Sequence, residues 1–120
     1  MMTVTLRNLR SLPSMPEEKV LTHLDCSHNL IETLGASVTN LPTQLLNLNL
    51  SHNSISELAD FSSLECLTTL NLGHNQISKV TGLVSKSLTH LVLAHNKVSE
   101  LGAQSFVECR GIRTLNLAHN

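Results

Sequence analysis

Asp25, Ser27 and His28 stand within four residues of one another, and an acid, a hydroxyl and an imidazole are the parts of a nucleophilic hydrolase. Such a triad is defined by geometry, with the imidazole on the hydroxyl and the acid behind the imidazole. In an alternating segment Asp25 and Ser27 share a face, while His28 enters the turn that follows. The histidine also recurs: five of the seven in the chain, His28, His52, His74, His95 and His119, each precede an asparagine. A recurring residue points to architecture before catalysis. Imidazole is a common metal ligand, but a straight row does not converge, and a metal site wants three or four ligands around one centre. Cys26, Cys66 and Cys109 are an odd number with no close pair. No glycine-rich phosphate loop or activated nucleophile is present, so no catalytic residue, metal site or cofactor is assigned. What remains is to ask which element repeats these residues.

The string Leu-x-x-Leu-x-Leu-x-x-Asn-x-Ile-x-x-Leu runs from Leu21 to Leu34, and returns from Leu45 to Leu58, Leu67 to Val80 and Leu88 to Leu101. A fifth copy starts at Ile112 and reaches Asn120. The asparagines Asn29, Asn53, Asn75, Asn96 and Asn120 are spaced by 24, 22, 21 and 24 residues. One copy cannot bury its own apolar side, so copies of this length must stack into a solenoid. The alternating Leu-x-Leu centre predicts a strand. Leu24 and Cys26, Leu48 and Leu50, Leu70 and Leu72, and Leu91 and Leu93 face inward, and neighbouring strands form a parallel sheet about 4.8 Å apart. The returns are too short for a full helix. They are expected to be 3₁₀ or extended pieces, with one helical turn around Ala103 to Cys109 and with Phe61 and Phe106 filling the core. A degenerate first copy is expected 22 residues upstream, with Arg7 in the place of Asn29. The resulting divisions of a single 1–120 domain are 1–20 (degenerate), 21–44, 45–66, 67–87, 88–111 and 112–120 (truncated). Each turn leaves backbone groups that need partners, and an asparagine amide offers two donors and an acceptor. The asparagines are therefore expected to stack as a bonded column. Stacked histidines about one strand apart should repel on charging, so stability should be lower at pH 5.5 than at 7.5.

Composition agrees with a repeat. Leucine supplies 24 of 120 residues and there are only two aromatic residues of the Phe, Trp and Tyr type, both Phe, so the core must be many equivalent aliphatic side chains in register. The net charge is −1, with eight scattered basic residues, which argues against nucleic acid or an anionic membrane surface as partner. No apolar run approaches the roughly 20 residues of a membrane span, and the start of the chain does not read as a signal peptide. All three cysteines are expected to face inward as free thiols, which fits a reducing compartment. The triplet Asn49-Leu50-Ser51 has the form of a glycosylation acceptor but follows from the repeat itself.

These four motifs, each with its asparagine, resemble the leucine-rich repeat family over essentially the whole chain. The 21- and 22-residue steps and Val80-Thr81-Gly82-Leu83 are similar to the intracellular short-repeat class typified by protein phosphatase 1 regulatory subunits. Asp25-Cys26-Ser27-His28-Asn29 and Leu50-Ser51-His52-Asn53 resemble the repeat segments of cytosolic scaffolds. The resemblance implies an α/β repeat fold, a leucine-rich repeat solenoid with a parallel concave sheet and short 3₁₀ or extended convex segments. The outward strand positions would form the concave face: His23, Asp25 and Ser27; Asn47, Asn49 and Ser51; Thr69, Asn71 and Gly73; His90, Val92 and Ala94; Thr114, Asn116 and Ala118. His23 beside Asp25 could form an outward ion pair. Repeat proteins bind extended partners on such faces. The expectation is a cytoplasmic, non-catalytic module that binds a protein partner through His23, Asp25, Asn47, Asn49, Thr69, Asn71, His90 and Val92, as a monomeric segment of a longer solenoid without membrane insertion. The competing readings are a ligand-recognition segment of an extracellular receptor and a structural spacer.

Overall fold

The structure is a computed structural model and describes residues 3–15, 21–102 and 105–120. Six three-residue strands form one sheet: β1 (Thr3–Thr5), β2 (His23–Asp25), β3 (Asn47–Asn49), β4 (Thr69–Asn71), β5 (His90–Val92) and β6 (Thr114–Asn116). They lie in sequence order, and every pair is parallel. The register sets Leu24, Leu48, Leu70, Leu91 and Leu115 side by side. The chain is a leucine-rich repeat solenoid.

The hydrogen-bonded stack extends past the strands. The amides of Cys26, Leu50, Leu72 and Leu93 each donate to the next turn at 2.8 Å. Those of His28, His52, His74 and His95 do so at 2.9–3.1 Å. Those of Leu30, Ser54, Gln76 and Lys97 bond back to the preceding turn. Sheet hydrogen bonds thus reach one residue beyond each asparagine, and successive turns cannot slip against each other without breaking all of them.

The core is built by columns of like residues. Leu45, Leu48, Leu50 and Ile55 are fully buried, as are Leu67, Leu70, Leu72 and Ile77 one turn on. Phe61 is fully buried on the return side, and Phe106 packs partly against the same core. Leu101 departs from its column. Leu34, Leu58 and Val80 are buried there, but Leu101 is 52% exposed. Leu115 is 37% exposed, since β6 has a neighbour on one side only.

The returns are short, as their length requires. A 3₁₀ helix covers Gly35–Asn40, and Asp60 and Val84 form an isolated parallel bridge between two returns. The helical turn expected around Ala103 to Cys109 lies partly outside the described residues. Over 105–109 the chain makes hydrogen-bonded turns, with the Cys109 amide on the Phe106 carbonyl at 2.9 Å. Cys26 and Cys109 are buried, but Cys66 is only half-buried, because it sits in a loop between the core positions Leu64 and Leu67.

The first turn has a different frame from the expected one. β1 pairs Val4 with Leu24, whereas a 22-residue offset would pair Val4 with Cys26. The Leu9 amide nevertheless donates to Asn29 Oδ1 at 2.8 Å, the role that Ile31 plays toward Asn53. The bend between β1 and Leu9 is therefore two residues shorter than its counterparts. Arg7 does not do an asparagine's work. Its guanidinium donates to the carbonyls of Leu6 and Ser27 at 3.2 and 3.4 Å.

Candidate interaction face

The eight residues expected to bind a partner fall into two columns across the sheet. Register aligns His23, Asn47, Thr69 and His90 in one, and Asp25, Asn49, Asn71 and Val92 in the other. Thr114 and Asn116 extend both columns. His90 is exposed and the other seven are half-buried. The third expected column is not available: Ser27, Ser51, Gly73 and Ala94 are buried. The face is therefore two residues wide over β2 to β5, while Ala118, the last member of the third column, is exposed beyond β6.

The second column explains why the third is buried. Asp25 Oδ1 accepts from the Ser27 amide at 2.9 Å and the Ser27 hydroxyl at 2.6 Å. Asn49 Oδ1 accepts the same pair from Ser51 at 3.0 and 2.7 Å. Asn71 takes the Gly73 amide at 2.9 Å, and Asn116 takes that of Ala118 at 3.0 Å. A short side-chain acceptor bonding two residues ahead bends the backbone out of the strand. Each of these oxygens is spent on the bend. The Nδ2 groups of Asn49 and Asn71 make no hydrogen bond among the described residues and remain available on the face. Val92 is the exception in its column, an apolar spot between Asn71 and Asn116.

This bonding disposes of the hydrolase arrangement. The buried Ser27 hydroxyl donates to Asp25, and the His28 ring stacks on His52 at 4.2 Å. The same bend recurs with Asn49 and Ser51, where no acid is present. Burial pushes the Asp25 carboxyl up, but the hydroxyl and amide of Ser27, with Arg7 and His28, outweigh it and hold the group below its usual value. His23 does not reach Asp25 as an ion pair. Its Nδ1 lies 3.0 Å from Thr22 Oγ1, and His90 Nδ1 lies 2.8 Å from Thr89 Oγ1. The repeated dipeptide, Thr22-His23 and Thr89-His90, is the sequence signal for this orientation.

Beside the face, each turn carries a histidine and an asparagine in succession. The asparagine turns inward. Asn75 Nδ2 donates to Leu50, Leu72 and Gly73 carbonyls at 3.0–3.1 Å, and its Oδ1 accepts the Ile55 amide at 3.0 Å. Asn53 and Asn96 repeat the set. Each joins its own bend to the preceding turn. The histidine turns outward at a left-handed backbone, with φ of 54–58° for all five. The rings stack with centroids 4.1–4.3 Å apart and planes within 13°. His52 and His95 are pushed below the usual imidazole value, first by desolvation and then by their histidine neighbours.

Among the described residues no group of three or more His, Cys, Asp or Glu could hold a metal ion. Burial pushes the Cys26 thiol up to about 11 and raises that of Cys109, the reverse of activation. A cleft of about 680 Å³ lies away from the sheet between returns, lined by Glu32, Gly35, Glu57, Asp60, Ser63 and Gly82 among others. Asp60 Oδ1 there accepts the Ser62 amide at 2.8 Å, and the Ser62 hydroxyl bonds the same carboxylate, the side-chain turn also seen at Asp25 and Ser27. No described helix is long and apolar enough to cross a membrane.

Two family profiles match the chain. One described as leucine rich repeat covers residues 19–77, and a second of the same description covers 84–107. Between them they span most of the stacked turns, and they carry no finer class within the family. No curated protein matches the chain.

Proposed function

Because this chain belongs to the leucine-rich repeat family, whose repeats generally mediate protein–protein interaction, we propose that it is a non-catalytic module binding a protein partner on its concave sheet. The observation that carries this reading is the composition of the two outward columns. They hold amides, a hydroxyl, imidazoles, one carboxylate and one apolar residue, on strands locked in register by the bonded stack. Rigid presentation lowers the ordering cost of binding. Asn49 and Asn71 offer unspent Nδ2 donors, His23 and His90 are oriented by threonines, and Val92 supplies a small apolar contact. Asn47 and Thr69 complete the first column. Asp25 acts mainly by shaping the bend.

A cytoplasmic setting belongs to the same proposal. It is supported by three free cysteines, two of them buried with raised thiols, which suit a reducing compartment.

The test compares affinity capture by the native chain with capture by an Asn49→Arg, Val92→Arg double variant whose fold is checked by circular dichroism. Lys79→Glu, on a return, serves as a control. Partners retained by Lys79→Glu and lost from the double variant are the expected result. Identical partner sets for all three would exclude the concave face as the binding surface.

A further inference from the structure

All seven histidines lie on the concave sheet or its rim. His23 and His90 are in strands, and the other five form the stacked row directly beyond the buried third column. The described acidic residues are distributed in the opposite way. Asp25 alone is on the face, whereas Glu32, Glu57, Asp60, Glu65, Glu100 and Glu108 are all in returns. The fixed charges near the histidines are few. Arg7 lies over the Ser27 carbonyl and offsets Asp25 at the first end. Lys97 stands just past Asn96, and Arg113 just before β6. The charge of the whole face is thus set by histidine, close to neutral when the imidazoles are neutral and strongly positive when they are protonated.

The fold admits the imidazoles, since His, like Asn, is enriched at left-handed positions, but it does not require them. Their positions demand a left-handed backbone, which Asn adopts more readily than most residues. The first turn shows this directly, with Asn8 at φ 63° in the corresponding bend. An amide would serve the turn equally well, yet five successive turns carry a ring.

The stack also has a defined spacing for charge. Three of five rings can be charged without two charged rings touching, namely the first, third and fifth. They are separated by twice the 4.1–4.3 Å stacking distance, about 8 Å. Alternate side chains of an extended peptide lie about 7 Å apart on one face, so glutamates two residues apart can meet successive charged rings. A carboxylate beside each charged ring offsets the repulsion that opposes protonation. By linkage, proton uptake then strengthens binding and binding strengthens proton uptake.

We propose that this face and its histidine rim bind a glutamate-rich protein segment in a proton-coupled way, tightly at mildly acidic pH and weakly at neutral pH. The proposal rests on the reading of the concave sheet as the binding surface and names its partner chemistry and regulation. Glutamate titrates near 4.3 and free imidazole near 6.5, so between these values opposite charges coexist. Nucleic acid is the less suited polyanion, because it is held by permanent Arg and Lys contacts, and among the described residues few such groups, Arg7, Lys97 and Arg113, stand near the histidines.

The test is the fluorescence anisotropy of a labelled oligoglutamate peptide with the full chain at about pH 5.5 and 7.5. The expected result is binding at least about tenfold tighter at the lower pH, within the usual range of coupled sites. The triple variant His52→Asn, His74→Asn, His95→Asn keeps a residue suited to the left-handed turn and should lose most of that gain. Its fold is checked by thermal melting at the higher pH, and His23→Gln, His90→Gln provides an independent variant outside the stack that should lose a smaller part. Equal affinity at the two pH values, a gain kept in full by both variants, or equally tight and equally pH-dependent binding of a DNA oligonucleotide of matched charge would each overturn the proposal. A flat oligoglutamate titration together with neutral-pH partners lost from Asn49→Arg, Val92→Arg would sink this inference alone and leave the concave reading standing.

Discussion

His74 and Asn75 are neighbours in the chain and opposites in the structure. Both belong to columns repeated in successive turns, and both form contacts at every step. Asn75 is buried and spends its side-chain oxygen and nitrogen on four backbone groups. His74 is exposed, and its described contacts are with other histidines. The difference teaches that a repeated residue can be repeated for two unrelated reasons. The asparagine column is required wherever two bends meet, because buried donors and acceptors must be paired. The histidine column is permitted by an exposed left-handed turn and adds a charge that responds to pH.

The sharpest way to break this comparison is to remove the inward member. Asn75→Ala leaves the buried Ile55 amide without its partner, while the Leu50, Leu72 and Gly73 carbonyls keep Asn53, Asn96 and the His52 amide as donors, and should cost about 1–3 kcal/mol, the range for an unsatisfied buried group. Urea denaturation reads this as a lower midpoint at unchanged slope. An unchanged midpoint would falsify the bonded-column account. The same column offers a milder test at its exposed member. Asn120 makes the same kinds of bonds but is exposed, so water can replace them, and Asn120→Ala should cost less than about 1 kcal/mol.

The outward member should respond mainly to pH. His52 and His95 have folded values below their unfolded ones. A depressed value means that the unfolded chain binds protons first, so the stability these groups contribute is present above about pH 6.5 and is lost as the pH falls below it. The melting temperature should therefore be lower at about pH 5.5 than at 7.5, and His52→Asn with His95→Asn should flatten the difference. Equal melting temperatures in the native chain would remove the linkage. The smallest effect is expected for His74→Asn at neutral pH, within about 0.5 kcal/mol, because asparagine tolerates the same φ. His74→Ala should cost more, about 1 kcal/mol, from a left-handed backbone without a compensating side chain. Similar stabilities for Asn and Ala there would mean that the turn geometry is not what selects the residue.

Much of this is legible in the sequence alone. The position of Asn29 relative to Leu24 and Cys26, repeated at near-constant spacing, already implied the strand, the bend and the stack. Leu48, Leu70 and Leu91 were placed inward by alternation alone, and the two columns of the face followed from the same parity. The asparagine column was legible because an amide beside a sharp bend has few other reasons to recur. The misreadings occur where the repeat is imperfect. Arg7 was aligned by counting, but a bend two residues shorter shifts β1 against β2. Cys66 is expected inward from its place in the pattern, but its exposure depends on how the return is covered.

The sequence by itself determined the fold, because periodic apolar residues have only one way to bury themselves, which is against the next copy. It also determined which residues share a face, since strand parity is a local property. Only the tertiary structure decided that Ser27, Ser51, Gly73 and Ala94 are buried, that Asp25 and Asn49 spend an oxygen on their own bend, and that five histidine rings lie in contact. The burial and the ring contacts depend on residues 20 or more apart in the chain, set by the register of one turn on the next, whereas the Asp25 and Asn49 oxygens bond only two residues ahead and are committed by the shape of the bend.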